Sequence, residues 1–502
     1  MKRTGVHIVL LIGIVIVLNL ISEQWYFRID FTEDNRYSLS DATRNILDSL
    51  DQPLSVTAYF SENLPPNIKK NRDLFEEYLI EYNRLSGNNV MYEFLNPTKN
   101  EELEKKAQEA GIQPVMINVR EKDQVKQQKA YMGAILKYGD QKEVIPFLDP
   151  QVPIEYALST SIKKMSVSEK PGVAILQGHG EPELKKMYQA VSELQVLNNV
   201  QTYKINPGQP IPGRFRTVAI IRPTDSFPDA HLRQLDEFLE RGGNLFIALN
   251  RVDADMETLM GSVVNTGLEK WLANKGLEVK KQFVTDAQAG NIRVQRQQGM
   301  FQFATNVKFP YIPVVTNFAD HPVTKGIENV IFKFISPVHY VGQDSSAFTP
   351  LLYSSKNSGT ASTPTRFDVN KQWQKKDFLM DKQILGGVLS DTSNTGNPYK
   401  ILLIADGDFP VNDRNYQRRQ MQQGNLNLMV NAVDWLNDDT GLIALRTKGV
   451  DYRPLDELKD GKKTFLKYLN FLLPVIILVG YGLVRMQINN RKRVKRMEES
   501  YE

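Results

Sequence analysis

Apolar positions along this chain follow three patterns: unbroken runs at the two ends, recurrence every three or four residues, and short runs or alternation between turn residues. The last two build a first unit over 37–167. Ser40 is placed to cap a helix carrying Ala42, Ile46, Leu47 and Leu50 on one face. Leu54–Phe60 and Val90–Leu95 read as strands, and Leu74, Phe75, Tyr78, Leu79, Tyr82 and Leu85 give the helix between them, which Gly87 ends. Leu103, Ala107 and Ala110 mark a second helix, stopped by Gly111. Pro114 leads into a strand at Val115–Val119, a hairpin turns at Gly139-Asp140, and a helix at Ile154–Met165 closes the unit. The order β-α-β-α-β-β-α predicts a thioredoxin-like domain. Pro114 stands where that fold places its cis-proline before the third strand, and no redox cysteine pair is present.

A second unit, 172–445, alternates strands and helices. Val173–Leu176, Val218–Ile221, Leu245–Leu249 and Ile401–Ala405 are short buried-strand runs; Leu184–Leu194, Leu232–Leu239 and Leu428–Leu436 have helical spacing. This alternation predicts a doubly wound α/β domain with a parallel sheet covered on both faces. The Gln-rich stretch 286–305 and the low-complexity segments 354–365 and 391–398 interrupt it, so 286–395 is expected to be an insertion or distal lobe.

The terminal runs change the picture. Val6–Ile21 reaches bilayer length only with Thr4 and Gly5, since a span takes roughly 20 apolar residues. Trp25, Tyr26 and Phe27 follow it as an interfacial belt would, and no A-x-A pattern marks a cleavage site. An uncleaved anchor over 4–22 is expected, and a second span over 465–484. Lys2 and Arg3 precede the first span; Arg485, Arg491, Lys492, Arg493, Lys495 and Arg496 follow the second. Lys and Arg mark the cytoplasmic flank, so both termini are expected inside and the body across the membrane. The pieces 1–21 and 467–502 hold 9 of the 62 Lys and Arg and 3 of the 58 Asp and Glu, leaving 53 basic against 55 acidic residues in the body. The +4 net charge therefore resides at the membrane ends. A near-neutral body argues against nucleic acid as a partner, and the basic tail 485–502 suits anionic lipid.

The absence of cysteine excludes thiol catalysis and Cys-based metal sites. Two motifs follow predicted strands, where open α/β sheets bind ligands. In Gln177-Gly178-His179-Gly180-Glu181, His179 and Glu181 have the chemistry of a base and an acid; the plainer use is a glycine turn with Glu181 favouring the next helix's N-terminus. Asp406-Gly407-Asp408 has the form of a divalent-cation pair, or of a turn that caps backbone amides. Gly178, His179, Gly180, Glu181, Asp406 and Asp408 are thus a candidate ligand cleft, with no catalytic, cofactor or metal role assigned. His231, His321 and His339 stand alone in sequence. Gly461-Lys462-Lys463-Thr464 resembles the tail of a phosphate loop, but Asp456 occupies the first glycine position. No G-x-S-x-G elbow is present.

The two anchors, Tyr37-Ser38-Leu39-Ser40 before the first helix, Gln177–Glu181 after a strand and Ala405-Asp406-Gly407-Asp408-Phe409 near the end together resemble the GldG family. Its members are the auxiliary, so-called substrate-binding subunits of gliding-motility ABC transporters of Bacteroidetes bacteria. The resemblance covers essentially the whole chain. It implies a GldF-like permease and a GldA-like ATPase as partners at the inner membrane, and a periplasmic body. It also implies an amidotransferase-like α/β core whose nucleophilic cysteine cannot be present. The expected function is non-enzymatic, without cofactor. The alternative is a membrane-tethered periplasmic hydrolase or metal-dependent carbohydrate-active enzyme using His179, Glu181, Asp406 and Asp408.

Overall fold

The computed structural model describes residues 38–62, 64–121, 124–148, 153–166, 170–298, 301–412, 420–438, 441–445 and 460–498. The expected N-terminal anchor, 4–22, lies outside the described residues.

The chain is a mixed α/β protein. Helix α1 (Asp41–Asp48) starts where Ser40 Oγ accepts from the Thr43 amide at 3.2 Å. Strand β1 (Leu54–Phe60), α2 (Pro66–Leu85), β2 (Val90–Leu95) and α3 (Glu101–Glu109) follow as the apolar spacing predicts. The next strands differ from expectation. Among the described residues strand β3 (Val115–Glu121) pairs with β4 (Gln124–Ala130) alone, and β5 (Met132–Tyr138) takes the place beside β1. With β6 (Gln141–Ile145) the sheet runs β2-β1-β5-β6; β1 and β2 are parallel, and β5 is antiparallel to both β1 and β6. Val115–Val119 is therefore an appended hairpin, and Pro114 does not precede the third strand of the sheet. Among the described residues the cis peptide is Thr363-Pro364, not Gln113-Pro114.

Helix α4 (Ile154–Ser166) closes this unit around a buried polar knot. Glu155 Oε1 accepts from Thr43 Oγ1 and from the Ser40 amide, both at 2.7 Å. The Tyr82 hydroxyl lies 2.7 Å from Ser159 Oγ. Burial pushes that phenol well above its ordinary range. Each polar group of this knot thus has a partner, as low dielectric requires.

The larger unit is built on an eight-stranded sheet. Its strands are β7 (Gly172–Gln177), β8 (Asn199–Lys204), β9 (Phe215–Ile221), β10 (Asn244–Ala248), β11 (Asn317–Phe318), β12 (Phe348–Tyr353), β13 (Ile384–Thr392) and β14 (Pro398–Ile404). The order is β11-β12-β13-β14-β10-β9-β7-β8. From β8 to β14 neighbours are parallel; β13, β12 and β11 continue antiparallel. The wholly parallel sheet expected from the alternation is thus a mixed one. Every residue of β10 is buried, as in a strand covered on both faces. Helix α5 (Tyr188–Leu194) and α7 (Gln423–Asn437) pack on each other, and α6 (Asp229–Glu240) packs on β10 and β14.

The stretch 286–395 divides. It supplies β11, β12 and β13 to the main sheet, while the long hairpin Ala289–Gln298/Phe301–Val315 lies outside that sheet. Segment 354–365 includes Ser358–Ser362, which pairs with Gln282–Asp286 instead of forming a simple loop. Phe283, Phe309, Tyr311, Phe334 and Phe367 form a separate aromatic core there. Phe283 meets Phe367 edge-on at 5.4 Å between centroids. After α7, Leu442 and Leu445 insert into the core of the first unit.

Residues 451–502 form a separate compact unit. Its helix α8 (Asp460–Glu498) is, among the described residues, the one long and apolar enough to cross a membrane, over Gly461–Arg491. The helix runs through Pro474, which removes one intrahelical N–H, and includes the basic segment from Arg485 to Arg496. Gly461-Lys462-Lys463-Thr464 lies in its first turns, not in a loop after a strand.

Candidate functional site

Both sequence motifs sit past the carboxyl ends of parallel strands. The turn after β7 is held by its own polar groups. Gly178 and Gly180 adopt φ of +116° and +78°, open to glycine because no Cβ clashes. The space is also taken: a Cβ on Gly180 would lie 1.9 Å from Thr224 Oγ1. The His179 carbonyl accepts from the amides of Thr224 and Asp225, each at 2.9 Å, which joins this turn to the segment after β9.

His179 is 2 % exposed. Its ring stacks on Phe227 at 3.7 Å and 4°. Glu181 Oε2 accepts from the His179 amide at 2.6 Å, and Oε1 lies 3.2 Å from His179 Nδ1. Glu181 thus braces the turn instead of serving a helix N-terminus. On the other side, His179 Nε2 lies 2.8 Å from Nδ1 of His231 on α6. Burial, and then His179, hold the His231 imidazole below its ordinary range. A carboxylate at Glu181 accepts from His179 Nδ1–H, which leaves Nε2 to accept from His231 Nδ1–H. The result is a carboxylate–imidazole–imidazole chain. His231 stands alone in sequence because a separation of 52 positions hides a contact made by the β9–α6 connection.

Asp406 and Asp408 are spent on structure. Asp406 is fully buried; Oδ1 accepts from the amides of Asp408 (2.6 Å) and Phe409 (3.2 Å), and Oδ2 from that of Lys333 (2.6 Å). Burial, and then the Asp408 carboxylate, push Asp406 up to about 7, against the pull of those amides. Asp408 Oδ1 accepts from Arg222 Nε at 2.7 Å and Oδ2 from Asn250 Nδ2 at 2.8 Å. Arg222, in the left-handed region at φ +48°, opens the segment that two residues later meets His179. The two motifs therefore share one connecting segment, 222–228, but each carboxylate is already committed. Among the described residues no group of three or more His, Asp or Glu is arranged for a metal.

His321 and His339 lie elsewhere. His321 contacts Trp435 edge-on at 4.7 Å, and burial holds its imidazole below the ordinary range. His339 is in a short strand opposite Glu278.

Comparison with known proteins adds three findings. Residues 170–432 match the family described as "ABC-type uncharacterized transport system", and residues 33–137 match a domain of unknown function, DUF7088. An uncharacterized protein of Borreliella burgdorferi is 22 % identical over 500 residues, covering 93 % of this chain and 94 % of that protein. Among solved structures, the mmIFT52 N-terminal domain aligns with a TM-score of 0.37 at 11 % identity, over 53 % of this chain and 97 % of that one. A ThuA-like protein from Parabacteroides merdae aligns with a TM-score of 0.29 at 12 % identity, over 57 % and 94 %.

Proposed function

Since the chain belongs to the ABC-type uncharacterized transport system family of auxiliary proteins, we propose that it is a membrane-anchored, non-enzymatic subunit of an ABC transporter of the GldG type. The observation that carries this reading is the family match over the larger α/β unit. The apolar helix α8 supplies a means of docking on a membrane partner. In this reading a GldF-like permease packs on α8, a GldA-like ATPase supplies the nucleotide chemistry, and gliding motility is the process served. Segment 4–22 is the second anchor, both termini are cytoplasmic at the inner membrane, and the body is periplasmic. The basic residues outside both apolar runs support that orientation. The domains are 37–167, with a thioredoxin-like scaffold, and 172–445. The sheet order β2-β1-β5-β6 with an antiparallel third strand supports the scaffold assignment, with β5 in the role first given to Val115–Val119. Gly178, His179, Gly180, Glu181, Asp406 and Asp408 hold the 222–228 segment in place for a binding surface instead of doing chemistry.

A second reading rests on the Glu181–His179–His231 chain, which has the form of a proton relay. It would make the protein a tethered hydrolase. Affinity purification of the full-length protein in mild detergent separates the two. The accessory reading expects a polytopic permease and an ATPase to co-purify, before and after His179 and Glu181 are replaced by Ala. Hydrolysis of glycan or ester substrates by the wild type, lost in the double variant with the fold intact, would overturn it.

A further inference from the structure

A cavity of about 480 Å³ opens beside the Phe283 aromatic core, and none of its lining residues belongs to either sequence motif. One wall is the second strand of the long hairpin, through Val307 and Lys308. The other is the segment 371–378, through Lys371, Trp373, Lys375 and Phe378. The volume lies within the range of roughly 300–1,000 Å³ found for small-ligand sites.

The 371–378 wall is held in place by its own contacts. Trp373 packs on the aromatic core, edge-on to Tyr311 at 5.6 Å, and stacks with Phe378 at 5.5 Å and 22°. Asp377 ties the turn between the two rings. Its Oδ2 accepts from the Gln374 amide at 2.8 Å, and its Oδ1 lies 3.0 Å from Lys371 Nζ. That amide, and then Lys371, hold the Asp377 carboxyl below its ordinary range. Lys371 Nζ also lies 3.8 Å from the centre of the Trp373 ring, a cation–π contact. The charge of Lys371 is therefore spent within the wall.

What charge remains on the lining is positive. Among the described residues it includes Lys308 and Lys375 and no Asp or Glu, and neither of these lysines has an ion-pair partner. Both are exposed, so a ligand entering from solvent can reach them, and Trp373 and Phe378 are half-buried. A concave site lined by one sign of charge attracts the opposite sign more strongly than a flat surface does. The stacked rings offer apolar area that an inorganic anion cannot use and a flat ring can. We propose that this cavity binds a small anion whose phosphate or carboxylate is borne on a flat ring. Lys308 and Lys375 meet the charge, and Trp373 and Phe378 meet the face. This goes beyond the accessory-subunit reading and does not rest on it.

The test is calorimetric titration of the full-length protein in detergent with UMP and digalacturonate, flat-faced anions from two sources. Uridine and maltose offer the face without the charge, and inorganic phosphate the charge without the face. One or both anions are expected to saturate, about tenfold or more tighter than the neutral counterpart and than phosphate. Which of them does so identifies the source. The double variant Lys308→Gln, Lys375→Gln is expected to weaken that ligand about tenfold or more, since charge-assisted bonds are the strong ones. Trp373→Leu is also expected to weaken it, while Lys376→Gln, at an exposed lysine off the lining, leaves it unchanged. Thermal melting checks the fold of each variant; if Trp373→Leu fails to fold, the exposed lysine pair decides. Saturation by neither anion, or equal binding of a neutral counterpart or of phosphate, overturns the proposal. So does unchanged affinity in the lysine pair, or an equal loss in Lys376→Gln. Binding by the purified protein does not depend on co-purified subunits. A failed titration and a failed co-purification are therefore separate results.

Discussion

Replacing Asp406 by Asn should alter how stability depends on pH. The wild-type carboxyl is raised from 3.8 to about 7 by burial and by Asp408. Between those values the folded state holds a proton that the unfolded state has released, so stability falls as pH rises. The contribution is full below the unfolded value and gone above about 7. Each pKa unit is worth about 1.4 kcal/mol, so the two units from pH 5 to pH 7 remove roughly 3 kcal/mol. Asn does not titrate. It offers one acceptor oxygen where Asp406 uses two, so it leaves at least one of the amides of Lys333, Asp408 and Phe409 facing an NH₂ group. That is a pH-independent cost of about 1–3 kcal/mol. The variant should therefore be less stable than wild type at pH 5, and its deficit should shrink by about 3 kcal/mol, or reverse, at pH 8. Urea unfolding followed by tryptophan fluorescence suits the α/β unit, since Trp271, Trp373 and Trp435 lie in it. A deficit equal at the two pH values, or larger at pH 8, would refute the reasoning.

Three further outcomes follow from the same geometry. Gly180→Ala places a Cβ 1.9 Å from Thr224 Oγ1 at φ +78°, and should lower the melting temperature of the α/β unit; an unchanged melt would contradict the close approach. Phe283→Ala empties the centre of the aromatic core and should cost about 3–5 kcal/mol in denaturant unfolding, against under 1 kcal/mol if that core were loosely packed. His231, depressed by burial and by His179, contributes stability above its unfolded pKa that is lost as pH falls through its lower folded value. His231→Gln should flatten the wild type's loss of melting temperature on acidification from pH 7 to pH 5, and an equally steep loss would count against it.

Much of the fold is legible because local pattern reports local structure. The Ser40 cap, the Gly139 hairpin and the short strand runs of β7, β9, β10 and β14 all appear where the spacing puts them. Period-two alternation names a strand but not its partner. Val115–Val119 and Met132–Tyr138 both read as strands, and only pairing across the sheet shows that the second sits beside β1. The same limit hides β12 and β13, whose polar surroundings suggested a separate lobe. The positions of both candidate motifs after strands are visible in sequence, but their use is not. His231 reaches His179 from another element, and Arg222 neutralises Asp408 across 186 residues.

The central claim is that this auxiliary protein works bound to a transporter in the membrane. Site-specific photocrosslinking from α8 tests it most directly. A photoreactive residue would replace Phe471 or Leu478, apolar side chains exposed along the helix. On irradiation in intact cells the account predicts one discrete adduct whose partner, identified by mass, is a polytopic permease subunit. Adducts formed only with lipid, or with a second copy of this chain, at every position tried would contradict it.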